Sequence, residues 1–312
     1  MGWYTTPDLD KFLAAASGYL TACAAENITL LQAAQEAADR GHEHADDSLY
    51  GWWAPPGGAV PQGAFLHGPS GPLLIAGRAP ETAAALAAPL AKAQQRAVSG
   101  VDAGVVAADA FGAAWRQRAG VAVRMHRSSH VYRLAGALSE YQGPPGRARS
   151  ATWADRELVV GWLRAFGNET GVLAGMPEAS ADDMLGYGGA VLWEADGRPV
   201  AMAIMTPVVA DVVQVANVYS PPEFRGRGYG VSVMVAVSRA ALVGRAREVV
   251  IIADRVRRLR SPVRLGFEMI GERAVLSFGP PTGAMTRVTG PMPRVPTGPM
   301  PRMPTGPLPR IR

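Results

Sequence analysis

The sequence predicts a mixed α/β protein with two domains, each built on a mixed, mainly antiparallel sheet flanked by helices, and a tail of a different kind. Three observations support this: apolar residues recur at helical and at strand spacing in both halves, a Gly-Pro-Pro-Gly segment at 143–146 separates them, and an eight-residue Thr-Gly-Pro repeat begins at residue 289. With 312 residues, 48% of them hydrophobic, the chain is long enough for two cores. We predict domains at 1–142 and 143–279 and an extended tail at 280–312.

The first half is predicted to open with a pair of helices. Apolar residues at helical spacing predict a helix over 8–24, and a second helix over Asn27–Arg40 has Asn27 available as its N-cap. Cys23 shares the apolar face of the first helix, which favours a buried structural thiol over a nucleophile. The predicted elements that follow are the strands Ala64–His67 and Leu73–Ala76, the helices Pro80–Ala97 and Ala107–Arg118, and the alternating stretch Val121–Leu134.

The second half is predicted to combine antiparallel hairpins with one strand-helix-strand crossover. Leu158, Trp162 and Phe166 recur at four-residue spacing and indicate its first helix, and Asp196-Gly197 is a strong hairpin signal. The predicted elements are the strands Ala190–Glu194, Pro199–Thr206, Val212–Tyr219, Val249–Ala253 and Glu268–Phe278, and the helix Tyr229–Gly244.

Charge and composition exclude several classes of protein. Five arginines and no acidic residue follow Gly279, so the rest of the chain has 26 basic and 26 acidic residues and carries no general signal for nucleic-acid binding. A single cysteine excludes an internal disulfide framework and is typical of a reducing compartment. The sequence has no apolar run of membrane-spanning length, and its five histidines are scattered, so we expect a cytoplasmic protein with no membrane contact and no metal.

The segment 219–230 reads YSPPEFRGRGYG and joins a predicted strand to a predicted helix. Glycines allow positive φ and close approach of the backbone, while the prolines fix the path that leads to them. A strand, a glycine turn and a helix start bring free backbone amides and the positive end of the helix dipole to one point, which suits a phosphate. No Lys-Ser or Lys-Thr follows, so the segment is not a P-loop. The alternative is an ordinary tight turn.

Arg225-Gly226-Arg227-Gly228-Tyr229-Gly230 matches, in type and spacing, the Arg-x-x-Gly-x-Gly signature of the Gcn5-related N-acetyltransferase (GNAT) superfamily. The order of strand, loop, helix and apolar strand over 212–253 is also similar to that superfamily's core. The stretch 162–169 with the hairpin at 191–197 resembles tandem members, whose halves are two acyl-CoA N-acyltransferase domains. The first half, with Glu26-Asn27 and Trp115, resembles them weakly and lacks the signature, which implies a degenerate copy that forms a wall of the acceptor cleft.

The resemblance implies direct transfer of an acetyl or other acyl group from acyl-CoA to the amine of a small molecule, in a ternary complex and without a metal. Acetyl-CoA would be the co-substrate. The implied binding residues are Arg225, Gly226, Arg227, Gly228, Tyr229 and Gly230 for the pyrophosphate, and Asn217, Val218 and Tyr219 for the pantetheine arm.

The chain departs from the family pattern at the residues that move protons. Members usually have a tyrosine four residues before a Gly-Phe pair, whereas Pro262 stands at that spacing before Gly266-Phe267. Ser261, water and Tyr229 are then the candidates for the general acid. Glu169 and Asp211 are the candidates for the base that deprotonates the amine, each with a solvated surface carboxylate as the alternative.

Two other functions remain open at this stage. The segment 255–264 contains five arginines, and with the tail it would suit a GNAT-fold enzyme that takes its acyl group from aminoacyl-tRNA. The missing tyrosine would suit a non-catalytic scaffold that binds acyl-CoA. The sequence leaves the acceptor and the oligomeric state open.

Overall fold

The structure is a computed structural model, and it describes residues 2–40, 48–55, 60–69, 71–93, 97–171, 177–244, 246–254 and 261–280. The strands in these ranges are β1 (Gly2–Thr6), β2 (Leu49–Ala54), β3 (Gly63–His67), β4 (Leu73–Ala76), β5 (Gly100–Gly104), β6 (Ala122–Leu134), β7 (Arg147–Ser150), β8 (Ala190–Ala195), β9 (Arg198–Met205), β10 (Val212–Tyr219), β11 (Glu248–Asp254) and β12 (Glu268–Gly279). The helices are α1 (Leu9–Ala22), α2 (Ala24–Arg40), α3 (Pro80–Ala93), α4 (Val105–Ala119), α5 (Arg156–Thr170), α6 (Pro177–Gly186), α7 (Tyr229–Val243) and α8 (Ser261–Arg264).

The strands form one sheet in the order β1-β2-β3-β4-β5-β12-β6-β11-β10-β9-β8-β7. Two neighbouring pairs, β4 with β5 and β10 with β11, are parallel, and the other described pairs are antiparallel. Each parallel pair is connected through a helix, α3 or α7, as a parallel connection requires. The predicted mixed, mainly antiparallel sheet flanked by helices is confirmed.

The two predicted halves share this sheet. The last strand, β12, lies between β5 and β6 of the first half, and β6 in turn pairs with β11 of the second half. Residues 1–281 form one compact unit, and the predicted boundary near residue 143 falls in the connection between β6 and β7. Side chains from both halves therefore meet on the central strands.

Helices cover both faces of the sheet. Because successive strand residues point to opposite faces, Val250 packs towards α1 and α2 while Val249 and Ile251 pack towards α7. Helices α5 and α6 lie on the same face as α1 and α2, and α3 and α4 lie on the face of α7. No helix in the described part of the chain is both long and apolar enough to cross a membrane.

The start of the second helix differs from the prediction. Helix α2 begins at Ala24, so Asn27 lies inside the first turn, where its Nδ2 donates to the carbonyl oxygen of Leu20 at 3.1 Å instead of capping the helix. Cys23 occupies the break between α1 and α2 with φ −132° and ψ 54°, and its side chain is exposed. The predicted buried thiol is therefore wrong, because the helix ends before the residue can join the apolar face.

Short strands account for most of the elements that the sequence did not predict. They are β1, β2, β5 and β7, together with the helices α6 and α8. Strand β5 reads Gly-Val-Asp-Ala-Gly, which has little β-propensity, and it is held by pairing with β4 and β12. The repeat tail and Arg255–Arg260 lie outside the described residues.

A cluster of hydrogen-bonded ion pairs connects β7 to the start of α5. Arg149 donates from Nη1 to Asp155 Oδ2 at 2.7 Å and from Nε to Glu194 Oε1 at 2.6 Å. Asp155 also accepts from the amide of Thr152 at 2.8 Å. The hydrogen bond from Arg149 is the main cause that lowers the pKa of Asp155 below its ordinary value of 3.8.

Replacement of Asp155 by asparagine is expected to lower the free energy of unfolding by about 2 kcal/mol at pH 7. A lowered pKa stabilises the fold above the unfolded value of 3.8, and this contribution is lost as the pH falls towards the folded value. The difference between wild type and variant should therefore shrink between pH 7 and pH 3 in urea titrations. Asp109→Asn, an exposed carboxylate on α4, is the matched control. An equal difference at both pH values would contradict this account.

Candidate functional site

Strands β10 and β11 separate at their carboxyl ends. They pair in parallel over Val212–Val215 with Glu248–Ile251, and no described pair continues beyond. On its other edge β10 shifts register against β9 between Ala216 and Tyr219, and Asn217 adopts a positive φ of 46°. Such a bulge bends the strand away from its neighbour. A gap therefore opens between two parallel strands, at the end where ligands of open α/β sheets bind.

The glycine loop leads from this gap into α7. After the 3₁₀ turn Pro222–Phe224, Gly226 and Gly228 take φ values of 75° and 86°, a region that L-residues with a Cβ rarely adopt. Helix α7 begins at Tyr229, and no side chain caps its first turn. The amide groups of this turn therefore face the gap with the positive end of the helix dipole.

The two arginines of the loop differ in their contacts. Arg225 donates from Nη2 to Glu169 Oε1 at 2.6 Å and from Nε to the carbonyl oxygen of Ser220 at 2.9 Å. Its guanidinium carbon lies 5.6 Å from the ring centroid of Tyr219. Arg227 is exposed and makes no ion pair with any described residue. Arg225 thus anchors the loop to the end of α5, while the charge of Arg227 is available to a ligand.

The connection between the two halves packs against the glycine loop. The hydroxyl group of Tyr141 donates to the carbonyl oxygen of Gly228 at 3.2 Å and lies 3.4 Å from Ser232 Oγ. A Cβ added at Gly228 would lie 3.3 Å from Pro144 Cδ. Tyr141 and Pro144 therefore help to fix the position of the loop.

We expect Tyr141→Phe to loosen the first turn of α7 without unfolding the protein. The lost hydrogen bond is worth about 1 kcal/mol, so amides near Ser232 should exchange up to about fivefold faster in hydrogen exchange followed by mass spectrometry. Tyr4→Phe, an exposed tyrosine on β1, serves as the control. Unchanged exchange over 228–234 in the Tyr141 variant would show that the tyrosine does not hold the loop.

A cleft of about 420 Å³ begins at this loop, and we call it the glycine-loop cleft. The walls include Val215 and Ile251 from the two strands and Met234 from α7. Ser220 Oγ lies at the cleft, is buried and has no hydrogen-bond partner among the described residues. A buried hydroxyl group without a partner is uncommon and suits a ligand with a polar group.

A second cavity of about 240 Å³ lies on the face of the sheet covered by α2 and α5, and we call it the polar cavity. It is lined by polar side chains of both halves, including Thr29, Asp102, Ser129 and Gln214. The two cavities share six residues around the gap between β10 and β11: Phe166, Thr170, Ala216, Asn217, Ile252 and Asp254. Molecules bound on opposite faces of the sheet can therefore meet in this gap. Asp254 is the titratable side chain among these six.

The residues predicted to hold the donor lie in three different places. Asn217, Val218, Arg225, Gly226, Gly228, Tyr229 and Gly230 line the glycine-loop cleft. Tyr219 points into the core, where its ring lies 6.1 Å from that of Trp162 and its hydroxyl group donates to Glu169 at 3.5 Å. Arg227 lies on the exposed rim of the loop.

The residues predicted to move protons are not brought together. Glu169 is ion-paired with Arg225. Asp211 precedes β10, pairs with Arg247 at 3.3 Å and lines a different cavity of about 250 Å³. Asp211 is six positions before Asn217, which corresponds to about 20 Å along an extended strand. Ser261 begins α8, and its side chain lies outside the described residues.

Sequence reasoning missed Asp254 and the polar residues from the first half. Asp254 is the last residue of β11, directly after an apolar strand, and it lies opposite Ser129 of β6. A polar residue at the carboxyl end of a parallel strand was an available signal for Asp254. No local signal places Asp102 or Arg127 in the same cavity as Asp254, because this depends on β12 and β6 lying between β5 and β11.

The first half has no equivalent of the glycine loop among its described residues. Its parallel pair, β4 with β5, is also connected by a helix, but α3 begins with Pro80, which has no amide hydrogen to offer. In the connection, Arg78 is bound to Glu26. None of residues 77–79 has a positive φ, and Pro80 removes one amide from the first turn of α3, so this connection differs from the glycine loop in both features.

Comparisons with known proteins identify the fold. No family model and no curated protein matches the chain. A GCN5-related N-acetyltransferase from Sphaerobacter thermophilus has a TM-score of 0.56 and 14% identity over 88% of this chain and 94% of its own. A GNAT-family acetyltransferase from Colwellia psychrerythraea has a TM-score of 0.53 and 9% identity over 89% and 99%. An X-ray structure of a Drosophila protein has a TM-score of 0.64 and 14% identity over 90% and 99%. The chain has the acyl-CoA N-acyltransferase fold of the GNAT proteins, and the predicted resemblance is confirmed at the level of the fold.

Proposed function

We propose that this protein transfers an acyl group from acetyl-CoA or another acyl-CoA directly to the amine of a small molecule. The observation that carries the proposal is the gap between β10 and β11, where the glycine-loop cleft and the polar cavity meet. A donor in one cavity and an acceptor in the other would react across this gap without a covalent enzyme intermediate. Binding both reactants next to each other supplies much of the catalysis in such a transfer.

The glycine-loop cleft has the chemistry that coenzyme A requires. The uncapped amides of α7 and the exposed Arg227 suit the pyrophosphate. The bulged backbone at Asn217 and Val218 suits an extended chain with amide groups, which would add to β10 like a strand. The buried hydroxyl group of Ser220 offers a further hydrogen bond.

The reaction needs two proton transfers, and the described residues offer a base for the first and a candidate acid for the second. An ammonium group loses a proton before its nitrogen bonds to the thioester carbon, the carbon–sulfur bond breaks, and a second proton leaves the nitrogen as the thiolate gains one. Asp254 lies in the gap between the cavities, where its carboxylate can hold the ammonium group and accept the first proton. Phe166 and Ile252 line the same gap and reduce its access to water. Tyr229 lines the cleft and remains a candidate donor to the thiolate.

The tRNA-dependent alternative rests on the arginines of the segment 255–264 and on the tail, and of these arginines the structure describes Arg264, at the end of α8. The scaffold alternative rests on the missing tyrosine. Our proposal is separated from the scaffold by an assay in which acetyl-CoA is incubated with a panel of primary amines and free thiol is measured. Thiol release that depends on both protein and amine supports acyl transfer. Acetyl-CoA binding without thiol release from any amine would support the scaffold instead.

A further inference from the structure

The polar cavity contains one cation that no described residue neutralises. Arg273 and Asp102, on the neighbouring strands β12 and β5, form a salt bridge in which the distance from Nη2 to Oδ1 is 2.7 Å. Their side chains are 12% and 10% exposed, so this pair is largely desolvated and already satisfied. Arg127 lines the same cavity, makes no ion pair in the described part of the chain, and has a buried Nε without a hydrogen-bond partner.

A guanidinium nitrogen that is removed from water and has no acceptor is costly. The planar fork of arginine matches a carboxylate, which would satisfy two of its donors at once. An unpaired Nε alone does not mark a binding residue, because Arg133 has one too and still forms ion pairs with Glu248 and Glu268. Arg127 differs in having no ion-pair partner in the described part of the chain, which is the property of a binding residue for an anionic group.

Strand register places Arg127 close to the gap between β10 and β11. Asp254 of β11 lies directly opposite Ser129 of β6, and Arg127 is two residues from Ser129 on the same face. Residues two apart on a strand are about 7 Å apart and neighbouring strands about 5 Å, so the backbones of Arg127 and Asp254 are about 8 Å apart. A molecule between them would meet a carboxylate at one end and a guanidinium group at the other.

We infer that the acceptor is a small amino acid, whose amine is held at Asp254 and whose carboxylate is bound by Arg127. This inference rests on the proposed acyltransferase function and names its acceptor class. The cavity of about 240 Å³ fits a molecule of this size. Because Arg127 comes from β6, the first half contributes specificity although it lacks a donor loop of its own.

The test compares four amino acids, glycine, β-alanine, aspartate and phenylalanine, with their amides. In each amide, a carboxamide replaces the carboxylate nearest to the amine, and the amine is unchanged. For at least one pair, the wild type should use the acid at a kcat/KM about 100-fold above that of its amide. Arg127→Met should raise KM for the acid by about 30- to 100-fold and leave kcat/KM for the amide within about threefold. Arg127→Lys should give an intermediate KM because it keeps the charge and loses the fork.

Two further readouts separate binding from structure. The dissociation constant of acetyl-CoA should be unchanged in Arg127→Met, and the melting temperature without ligand should stay equal or rise, since an unsatisfied buried group is removed. Arg124→Met, at an exposed position on the same strand, is the control and should change none of these values. Turnover of the amides as fast as the acids would overturn the inference and leave the proposed function intact. Absence of both acetyl-CoA binding and turnover would overturn both.

Discussion

Gly228→Glu should abolish acetyl-CoA binding, with a dissociation constant raised more than about 100-fold. Three effects act in the same direction. The φ of 86° disfavours any residue with a Cβ, a Cβ here lies 3.3 Å from Pro144 Cδ and from the Tyr141 hydroxyl group, and a carboxylate repels the pyrophosphate. Calorimetric titration of wild type and variant with acetyl-CoA measures the change.

Two companion variants show whether the loss is local. Gly136→Glu introduces the same charge at an exposed position with open space around its Cβ, and it should bind acetyl-CoA like the wild type. Arg227→Glu reverses a charge on the exposed rim without straining the loop, and it should weaken binding by about tenfold or more. A dissociation constant of Gly228→Glu for acetyl-CoA within threefold of the wild-type value would show that the glycine loop does not bind acetyl-CoA.

Asp254→Asn is expected to lower kcat by at least about 100-fold and to leave the dissociation constant of acetyl-CoA within about threefold of the wild-type value. The asparagine keeps the size of the side chain and a hydrogen-bond acceptor, but it removes the charge and the capacity to take a proton from the ammonium group. Raising the pH should restore part of the activity, since more of the acceptor is then uncharged before it binds.

Asp211→Asn is the matched control, because the sequence ranks Asp211 as a candidate base whereas the structure places it at the other end of β10, paired with Arg247. Its kcat should stay within about twofold of the wild-type value. Equal losses of kcat in the two variants, or normal turnover by Asp254→Asn, would show that the gap between the cavities is not where the proton moves.

The glycine-loop cleft could be predicted because its determinants are local. Strand β10 has the predicted bounds, α7 begins at the predicted Tyr229, and the positive φ values at Gly226 and Gly228 follow from glycine chemistry within one short segment. The direction of the Arg225 side chain could not be predicted, since its partner Glu169 lies 56 residues away in the sequence.

The polar cavity could not be predicted because long-range strand pairing creates it. Asp102, Arg127, Asp254 and Arg273 belong to four strands, and they share one cavity only when β12 inserts between β5 and β6 and β6 pairs with β11. Nothing in the local pattern of β12 specifies this insertion. The same reason explains why β5, with its weak β-propensity, was missed: its strand conformation depends on two distant neighbours.

Binding of the acyl donor is measured directly by calorimetric titration of the wild-type protein with acetyl-CoA, with bulk tRNA titrated in parallel at two salt concentrations. The second half has an uncapped glycine loop at its parallel strand pair, whereas the first half has Pro80 and the Arg78–Glu26 pair there. We therefore predict saturable binding of one acetyl-CoA per chain with a dissociation constant on the order of micromolar, and no comparable heat from tRNA. The absence of acetyl-CoA binding, together with tRNA binding that weakens steeply as salt rises, would contradict the account.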